Sequence, residues 1–331
     1  MEYTLPPDHT PATLTPPALQ ALVASIIDYA GLFPPARLPL DAAIRNYARY
    51  RTEPEAWMLA RFIIPIGRLD DLAPYANLFV DDPPFRFSVL SIGGPDADAF
   101  LHAFESDLER IQAFHRRHPG LVQVESMEVR LPATLLGTNA ARSFFDAVGR
   151  LCDTAAPGLE LFFEAPITAS LRDTAPPLLT AMAAYNREHG PRLGFKMRTG
   201  GTEPDAFPEA GPLAFALTAC LRAGVPFKAT AGLHHPVRHY HESVQTHMYG
   251  FFNLFGAAVL AAEHSLDEAT VRAILLDEDP THFRFTPEAF AWTTYTASPE
   301  TIRLIRHAFA RSYGSCSFDE PREDLEAMGL L

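Results

Sequence analysis

Residues 192–235 have the sequence RLGFKMRTGGTEPDAFPEAGPLAFALTACLRAGVPFKATAGLHH, in which two short apolar runs flank a longer segment. The two runs, residues 192–199 and 225–231, are rich in residues that favour strands and end at or beside glycines. Between them, residues 211–223 carry apolar side chains at helical spacing. Two parallel strands need a crossover of this kind, because both strands run in the same direction. The stretch therefore predicts a βαβ unit.

The same alternation of strand and helix continues on both sides of this unit. Eight such units over residues 18–313 predict a closed (β/α)8 TIM barrel that forms a single domain. An open, doubly wound sheet also alternates, but no G-x-G-x-x-G motif opens a helix after the first strand. The predicted strands are residues 24–29, 58–65, 85–92, 122–131, 159–165, 192–199, 225–231 and 290–296.

The two ends of the chain lie outside this repeat. Residues 1–17 contain five prolines and predict an irregular arm. The last predicted helix covers residues 299–313, and we expect residues 314–331 to form a tail that packs on the barrel.

The composition restricts the classes of function. The chain has 331 residues, with 27 Lys and Arg against 40 Asp and Glu, and a formal net charge of −13. Nucleic-acid binders and anionic-membrane binders need a dominant basic surface, so neither partner is expected. With 47% hydrophobic and 20% charged residues, the chain resembles an ordinary globular protein. The expected partner is a small-molecule substrate.

Cysteine usage and the N-terminal sequence predict a cytoplasmic protein. Three cysteines are too few for a disulfide framework in a chain of this length, and no C-x-x-C pair is present. The start, MEYTLPPDHT, lacks the basic and apolar regions of a signal peptide. The longest apolar stretch, residues 248–262, falls short of the ~20 residues that a bilayer span needs. We expect it to lie in a helix over residues 243–264, whose apolar surface also suits an interface in a homo-oligomer.

Two lysines near the ends of neighbouring strands mark the candidate site, because active sites of (β/α)8 barrels lie at the carboxyl ends of the strands. Side chains alternate along a strand, so Lys196 and Arg198 share one face of the sixth strand. Lys228 and Thr230 share one face of the seventh strand for the same reason. An unpaired lysine packed against the helices costs several kcal/mol, so we expect both lysines to face the barrel interior.

Acidic residues on three other strands are expected at the same mouth. They are Asp28 on the first strand, Glu128 on the fourth with Arg130 on the same face, and Glu164 at the end of the fifth. Gly200 and Gly232, which follow the sixth and seventh strands, allow backbone amides to approach a phosphate or carboxylate. The pattern predicts a locally cationic pocket rimmed by acids, suited to an anionic or carbonyl-bearing small molecule.

The chemistry expected of this pocket is covalent. A lysine beside another cation in a partly desolvated site has a lowered pKa, because both effects disfavour the charged form. Such an amine can form a Schiff base with a carbonyl compound near neutral pH. We expect Lys196 to be this nucleophile, with Lys228 lowering its pKa. Glu128 or Glu164 would transfer protons, and Arg198 would hold a carboxylate or phosphate. The alternative is that both lysines only pair with acids in a buried network, or bind an anion.

FKMRTGG at 195–201 and FKATAGLHH at 227–235 resemble the ends of strands six and seven in class I aldolases of the deoxyribose-phosphate aldolase type. The resemblance implies that Lys196 is the Schiff-base lysine and that Lys228 depresses its pKa, with no cofactor required. Arg198 and the adjacent histidines at 234 and 235 depart from that pattern, and Glu128 stands nearest to the expected aspartate of strand four. The predicted eighth strand also lacks a glycine-serine phosphate turn.

A group of histidines follows the seventh strand. The segment HHPVRHYHE contains His234, His235, His239 and His241. Adjacent residues on extended chain point in opposite directions, so at most one of His234 and His235 should share the pocket with Lys228. Such a histidine can transfer protons or contact substrate.

The histidines also support a different class of enzyme. In this alternative His234 or His235 joins Glu164 and Asp28 as ligands of a divalent metal ion in a hydrolase, isomerase or lyase. A further alternative is a barrel that binds a small metabolite without turnover. The favoured prediction is a lyase that acts on a small anionic or polyhydroxylated carbonyl compound.

Overall fold

The computed structural model describes residues 15–80 and 82–331, so almost all of the predicted N-terminal arm, residues 1–17, lies outside the described residues. In chain order the strands are β1 Ile27–Tyr29, β2 Leu59–Pro65, β3 Phe85–Ser91, β4 Val122–Arg130, β5 Glu160–Glu164, β6 Leu193–Arg198, β7 Phe227–Thr230, β8 His239–His241, β9 Thr246–Met248, β10 Phe283–Phe285, β11 Phe290–Trp292, β12 Tyr295–Ala297 and β13 Ala310–Ser315.

Most of the α-helices lie in the connections between these strands, whereas α1 precedes β1 and α10 follows β13. They are α1 Pro17–Val23, α2 Leu40–Tyr50, α3 Ala97–Arg117, α4 Ala141–Ala155, α5 Leu171–His189, α6 Ala210–Ala223, α7 Ala257–His264, α8 Glu268–Leu276, α9 Pro299–Ala308 and α10 Asp319–Ala327. Helix α3 shows why a connection becomes helical. The carboxylate of Asp96 accepts a hydrogen bond from the Ala99 N–H at 2.9 Å and caps its first turn. Its buried apolar residues then recur every three or four positions and face the strands.

Within the described residues, eight of the strands form a closed, all-parallel barrel. Their order around the ring is β1-β13-β7-β6-β5-β4-β3-β2. The ring together with its helices confirms the predicted (β/α)8 TIM barrel. The register places Glu164 beside Lys196, and Lys196 beside Lys228, on neighbouring strands. Charged residues far apart in sequence thus meet at one level of the barrel.

The predicted eighth strand is wrong. Residues 290–296 lie in a small antiparallel sheet of β10, β11 and β12, and β13 closes the barrel instead. The helix predicted over residues 299–313 ends at Ala308. Strand β13 was missed because small and polar residues, such as Ser312 and Gly314, occupy it in place of an apolar run. The barrel therefore extends past residue 313, into the segment predicted as a tail.

After β13, helix α10 packs against the end of α2 and the segment that follows it. The Tyr50 hydroxyl donates a hydrogen bond to Asp319 at 2.6 Å, and Arg322 pairs with Glu53. Glu320 and Asp324 of the same helix contact His234 and His235 in the loop after β7, so α10 also reaches the strand-end side of the molecule.

The helix predicted over residues 243–264 is also wrong in outline. This segment contains β9, a π-helical turn over Phe252–Gly256, and α7. Asn253 is fully buried, and its amide donates to the carbonyls of Ile274 and Asp277 at 2.7 and 2.8 Å. Most of the apolar stretch belongs to the core, so it does not present the exposed face that an interface needs. In the described part of the chain, no helix is both long and apolar enough to cross a membrane.

Candidate active site

A cavity of about 260 Å³ opens at the carboxyl ends of the barrel strands. Its position is the one where (β/α)8 barrels bind their substrates. Its floor consists of strand residues, and its walls come from the loops after β1, β6, β7 and β13. The lining residues are Ala30, Phe33, Pro34, Pro35, Ile63, Leu90, Glu128, Lys196, Arg198, Gly201, Thr202, Thr230, Ala231, Gly232, His234, Gly314 and Cys316.

Lys196 lies on the floor of this cavity. The residue is 6% exposed, and its Nζ lies 3.0 Å from Glu128 Oε2 and 3.0 Å from Glu164 Oε2. The amine therefore sits between two carboxylates while still facing the cavity. No hydrogen bond from the described residues reaches Glu128 Oε2, so the ion pair with Lys196 is its polar contact.

Lys228 lies deeper than Lys196 and does not line the cavity. It is fully buried, and its Nζ contacts Asp28 Oδ2 at 2.6 Å, Ser88 Oγ at 3.2 Å and Glu128 Oε1. Both lysines face the barrel interior, as predicted. They differ in access, because only the amine of Lys196 can meet a ligand in the cavity.

The predicted lowering of the Lys196 pKa is wrong. Burial lowers the pKa of Lys196, but the negative charges of Glu128 and Glu164 outweigh burial and raise it overall. Burial raises the pKa of Glu128, yet Lys228 and Lys196 together bring it down to about 2. The pKa of Glu164 is likewise lowered, since Lys196 and Arg198 outweigh its burial. These shifts make Lys196 an ammonium ion and Glu128 and Glu164 carboxylates at neutral pH.

Asp28 supports the site from below and does not line the cavity. It is fully buried, accepts hydrogen bonds from the Arg61 N–H at 3.0 Å and Ser312 Oγ at 2.5 Å, and pairs with Lys228. Its role in this geometry is to hold Lys228 in place. The sequence prediction that it contacts a ligand is not matched by its position.

Of the two arginines predicted to bind substrate, Arg198 lines the cavity and Arg130 does not. Arg198 lines the cavity with its side chain 44% exposed, and its Nε donates to Glu164 Oε1 at 2.8 Å. Glu164 therefore bridges Arg198 and Lys196. Arg130 is exposed at the end of β4 and does not line the cavity, so its predicted role in substrate binding is not supported.

Thr230 and Gly232 line the cavity, as predicted, whereas Gly200 does not. A Cβ on Gly200 would lie 2.5 Å from Phe207 and 2.9 Å from the Gly232 Cα, so this glycine permits two loops to cross closely. Its neighbour Gly201 faces the cavity instead. The glycine-rich loop thus gives close backbone packing as well as access to the cavity.

The adjacent histidines point to different surroundings. His234 lines the cavity, with its Nδ1 3.0 Å from Glu320 Oε2 and 3.9 Å from Cys316 Sγ. Burial lowers the pKa of His234, but Cys316 and Glu320 outweigh burial and raise it to about 9. His235 does not line the cavity, and its Nδ1 lies 2.6 Å from Asp324 Oδ2. Only one of the two adjacent histidines shares the pocket, which agrees with the prediction that their side chains point in opposite directions.

The predicted metal site does not assemble around the cavity. Asp28 pairs with Lys228, and Glu164 pairs with Lys196 and Arg198. His234 instead contacts Glu320 and Cys316. These carboxylates and His234 therefore do not converge on a common point, which corrects the metal-ligand set expected from sequence.

Two features of the site were missed at the sequence level. Cys316, in the segment predicted as a tail, lines the cavity with its Sγ 3.9 Å from His234 Nδ1. The stronger signal was compositional: the chain contains 25 arginines and only two lysines, Lys196 and Lys228. Both lysines lie in the barrel centre, in a chain that otherwise uses arginine for every basic position outside its histidines. Counting the two residue types separately would have singled out this pair.

Comparisons with known proteins give distant matches in structure alone. Neither a protein-family model nor a curated protein matches the sequence. The structure of lysine/ornithine decarboxylase from Vibrio vulnificus, complexed with cadaverine, aligns over 90% of this chain and 58% of its own, with 13% identity and a TM-score of 0.40. A mutant cellobiohydrolase from Humicola insolens aligns over 60% of this chain and 71% of its own, with 11% identity and a TM-score of 0.33. Neither match assigns an activity. The class of this protein, a (β/α)8 barrel with a polar cavity at its strand ends, rests on its own geometry.

Proposed function

We propose that this chain is a lyase that makes or breaks a carbon–carbon bond in a small carbonyl compound through a Schiff base on Lys196. The observation that carries the proposal is that Lys196 lines the cavity in a chain with 25 arginines and two lysines. Arginine remains protonated in proteins, whereas lysine can lose its proton and become a nucleophile. A lysine at this one accessible position favours chemistry that needs a free amine.

The proton on Lys196 has two acceptors in contact. Glu128 Oε2 and Glu164 Oε2 each lie 3.0 Å from its Nζ. A substrate that fills the cavity displaces water, and a drier site favours a neutral amine and carboxylic acid over an ion pair. Substrate binding therefore promotes the proton transfer that the ligand-free site disfavours.

The covalent steps follow from this transfer. The Lys196 amine attacks the carbonyl carbon to give a carbinolamine. The protonated carboxyl group then returns its proton to the departing hydroxyl group, which leaves as water and yields an iminium ion. The iminium ion then accepts the electron pair of the bond between its α and β carbons, which breaks to give an enamine. Glu128 or Glu164, now a carboxylate, takes the proton of the β-hydroxyl group as the carbonyl fragment leaves. That proton returns to the enamine carbon, and water hydrolyses the resulting iminium to release the second product and Lys196; the reverse sequence forms the bond. No cofactor enters this scheme.

Arg198 and His234 define the proposed substrate class. Both line the cavity, and a pKa of about 9 keeps His234 protonated at neutral pH. Arginine and protonated histidine bind carboxylate or phosphate oxygens through charge-assisted hydrogen bonds. The cavity, of about 260 Å³, is slightly smaller than typical ligand pockets of about 300–1,000 Å³. The proposed substrate is a small carbonyl compound with an anionic or polyhydroxylated end.

Reduction with borohydride tests the covalent step. The protein is incubated with a panel of small aldehydes, ketones and keto acids, reduced, and analysed by intact mass and peptide mapping. The result expected is one adduct on Lys196 with at least one compound. Besides the N-terminal amine, Lys228 is the only other primary amine in the chain, which makes the mapping unambiguous.

Two matched variants control this experiment. Lys196→Arg keeps a positive charge in the cavity and should abolish the adduct, whereas Lys228→Arg should retain it if the variant is folded by circular dichroism. No adduct across the panel, or one that persists in Lys196→Arg, would overturn the Schiff-base proposal.

The balance of charges in the site favours a second candidate, a barrel that binds a small metabolite without turnover. The carboxylates of Asp28, Glu128 and Glu164 are already paired with Lys228, Lys196 and Arg198. A network so fully paired can serve as a rigid floor for a bound anion. This candidate predicts saturable binding in calorimetry with the same panel, with neither adduct nor product at high protein concentration.

A further inference from the structure

A second polar cluster lies outside the cavity, on the connection that follows β7. His235, His239 and His241 each place one ring nitrogen within 4.8 Å of the others, and all three side chains are half-buried. The rings of His235 and His239 are 4.4 Å apart between centroids, and those of His235 and His241 are 5.6 Å apart. Three imidazoles gathered this closely make a concentrated set of nitrogen donors.

The hydrogen bonds around the cluster engage Nδ1 of each ring. His235 Nδ1 lies 2.6 Å from Asp324 Oδ2, and His239 Nδ1 lies 3.2 Å from the Val237 carbonyl oxygen. His241 Nδ1 lies 2.8 Å from Ser243 Oγ and also accepts a hydrogen bond from the Ser243 N–H at 3.3 Å. On His235 and His239, Nδ1 faces an oxygen acceptor, which leaves Nε2 of these two rings for a metal ion among the described residues. His241 binds an ion through Nε2 only if its Nδ1 gives up the bond from the Ser243 N–H and donates to Ser243 Oγ instead. Histidines that bind metals characteristically use the other nitrogen for such an outer hydrogen bond.

The backbone holds two of these histidines on one side of a hairpin. His239 and His241 lie two residues apart on β8, so their side chains emerge on the same face, and Tyr240 emerges on the other. Strand β8 pairs with β9, which opposes His239 to Met248 and His241 to Thr246. The third histidine comes from the loop before the hairpin, and helix α10 supplies its carboxylate partner. The set is therefore assembled from separate elements.

We propose that His235, His239 and His241 bind a divalent transition-metal ion of the zinc type through their Nε2 atoms. Imidazole suits zinc, cobalt, nickel and copper, whereas calcium and magnesium prefer oxygen ligands. Three protein ligands leave a fourth tetrahedral position for water or another small ligand. This site excludes His234, which faces the cavity, and it is independent of the proposed chemistry of Lys196. Its carboxylate partner, Asp324, orients His235 and supports the charge of the ion.

Metal titration of the untagged, full-length protein tests the site. After treatment with a chelator and its removal, Zn²⁺ binding is measured by calorimetry, and Co²⁺ binding by its visible absorption. We expect one equivalent of either ion to bind and the cobalt spectrum to show a tetrahedral nitrogen-rich site. His239→Ala and His241→Ala should each weaken Zn²⁺ binding at least tenfold. Asp324→Asn should weaken binding by about 10–100-fold, the usual effect of losing an outer partner.

Controls separate this site from adventitious binding and from misfolding. His102→Ala removes an exposed histidine of α3, whose Nδ1 lies 2.9 Å from the Asp98 carbonyl oxygen, and should leave the affinity unchanged. His239→Gln, which preserves side-chain size and polarity, provides a second variant if His239→Ala unfolds. Absence of one-equivalent binding, or unchanged affinity in folded His239 and His241 variants, would overturn the proposal. Neither outcome depends on borohydride trapping at Lys196.

Discussion

The amines of Lys196 and Lys228 bind the two oxygens of a single buried carboxylate, that of Glu128. Lys196 Nζ lies 3.0 Å from Oε2, and Lys228 Nζ contacts Oε1. The two lysines are also partners in the parallel register of β6 and β7. Two cations held this close inside a barrel are tolerated because Glu128 lies between them, flanked by Asp28 and Glu164.

Removing the bridging charge should destabilise the protein. In Glu128→Gln two buried ammonium groups lose their shared anion, and breaking a buried ion pair typically costs about 3–5 kcal/mol. We expect a loss of this order in the free energy of unfolding, measured by urea denaturation. Glu188→Gln, at an exposed helical position, is the matched control and should leave the free energy of unfolding nearly unchanged. A Glu128→Gln variant as stable as this control would contradict the central role of the bridge.

Lys196 and Lys228 should react at different rates in chemical modification, because their amines differ in accessibility. Lys196 has a raised pKa, so reductive methylation of it near neutral pH should be slow and should accelerate as the pH rises. Lys228 is fully buried and should react only when the protein unfolds. Glu128→Gln removes one of the charges that raise the Lys196 pKa, so modification of Lys196 should become faster at constant pH. Peptide mapping over time gives each rate, and equal rates at both lysines would count against the observed geometry.

The contribution of Glu128 to the stability of the protein should be lost over a defined range of acidic pH. The folded-state pKa of Glu128 is about 2, below the ordinary value of 4.5, so its stabilising effect is present above pH 4.5. That effect should be lost as the pH falls from about 4.5 towards 2, because the unfolded state takes up a proton first. Urea unfolding of the wild type and Glu128→Gln at several pH values isolates the contribution of Glu128 to the free energy of unfolding. Their difference in stability should shrink across this range, and a constant difference would refute the assignment.

His234 should titrate above the normal range of histidine. Its pKa is raised from 6.5 to about 9, so it contributes stability below pH 6.5 that is lost as the pH rises through 9. NMR titration of the ring Cε1–H signals measures this pKa directly. Glu320→Gln and Cys316→Ala should each lower it, because each removes a group that favours the protonated ring. His234 titrating near 6.5 in the wild type would argue against its proposed role as a cation in the cavity.

Two glycines offer a matched pair of substitutions with opposite outcomes. Gly200→Ala places a Cβ 2.5 Å from Phe207 and should cost about 1–3 kcal/mol, as overpacking usually does. Gly211→Ala lies near the start of α6 with no atom within 4 Å of the new Cβ, and should be neutral or stabilise by up to about 1 kcal/mol. Thermal and urea unfolding of both variants compare the effects. If Gly200→Ala matched Gly211→Ala, the close loop crossing would be disproved.

An element of this fold could be predicted where its own sequence carries an apolar run or a helical period, and could not where that pattern is missing. Strands β2 to β7 carry apolar runs, and the helices between them show regular periodicity, so their positions were predictable to within a few residues. Strand β13 could not be predicted, because Ser312 and Gly314 stand where a buried strand usually has apolar side chains. The hairpin of β8 and β9 could not be predicted either, because a sequence so rich in histidine is typical of a polar loop.

The sequence by itself determined the barrel class and the inward direction of Lys196 and Lys228, because period and alternation are local properties of the chain. Tertiary structure alone decided which charges pair and which amine is accessible. The distances among residues 28, 128, 164, 196 and 228 are fixed by closure of the ring, which no local pattern encodes. Since a charge at 3 Å shifts a pKa far more than one farther away, the protonation state of Lys196 depends on that closure. The three histidines likewise converge only through the hairpin and the loop before it.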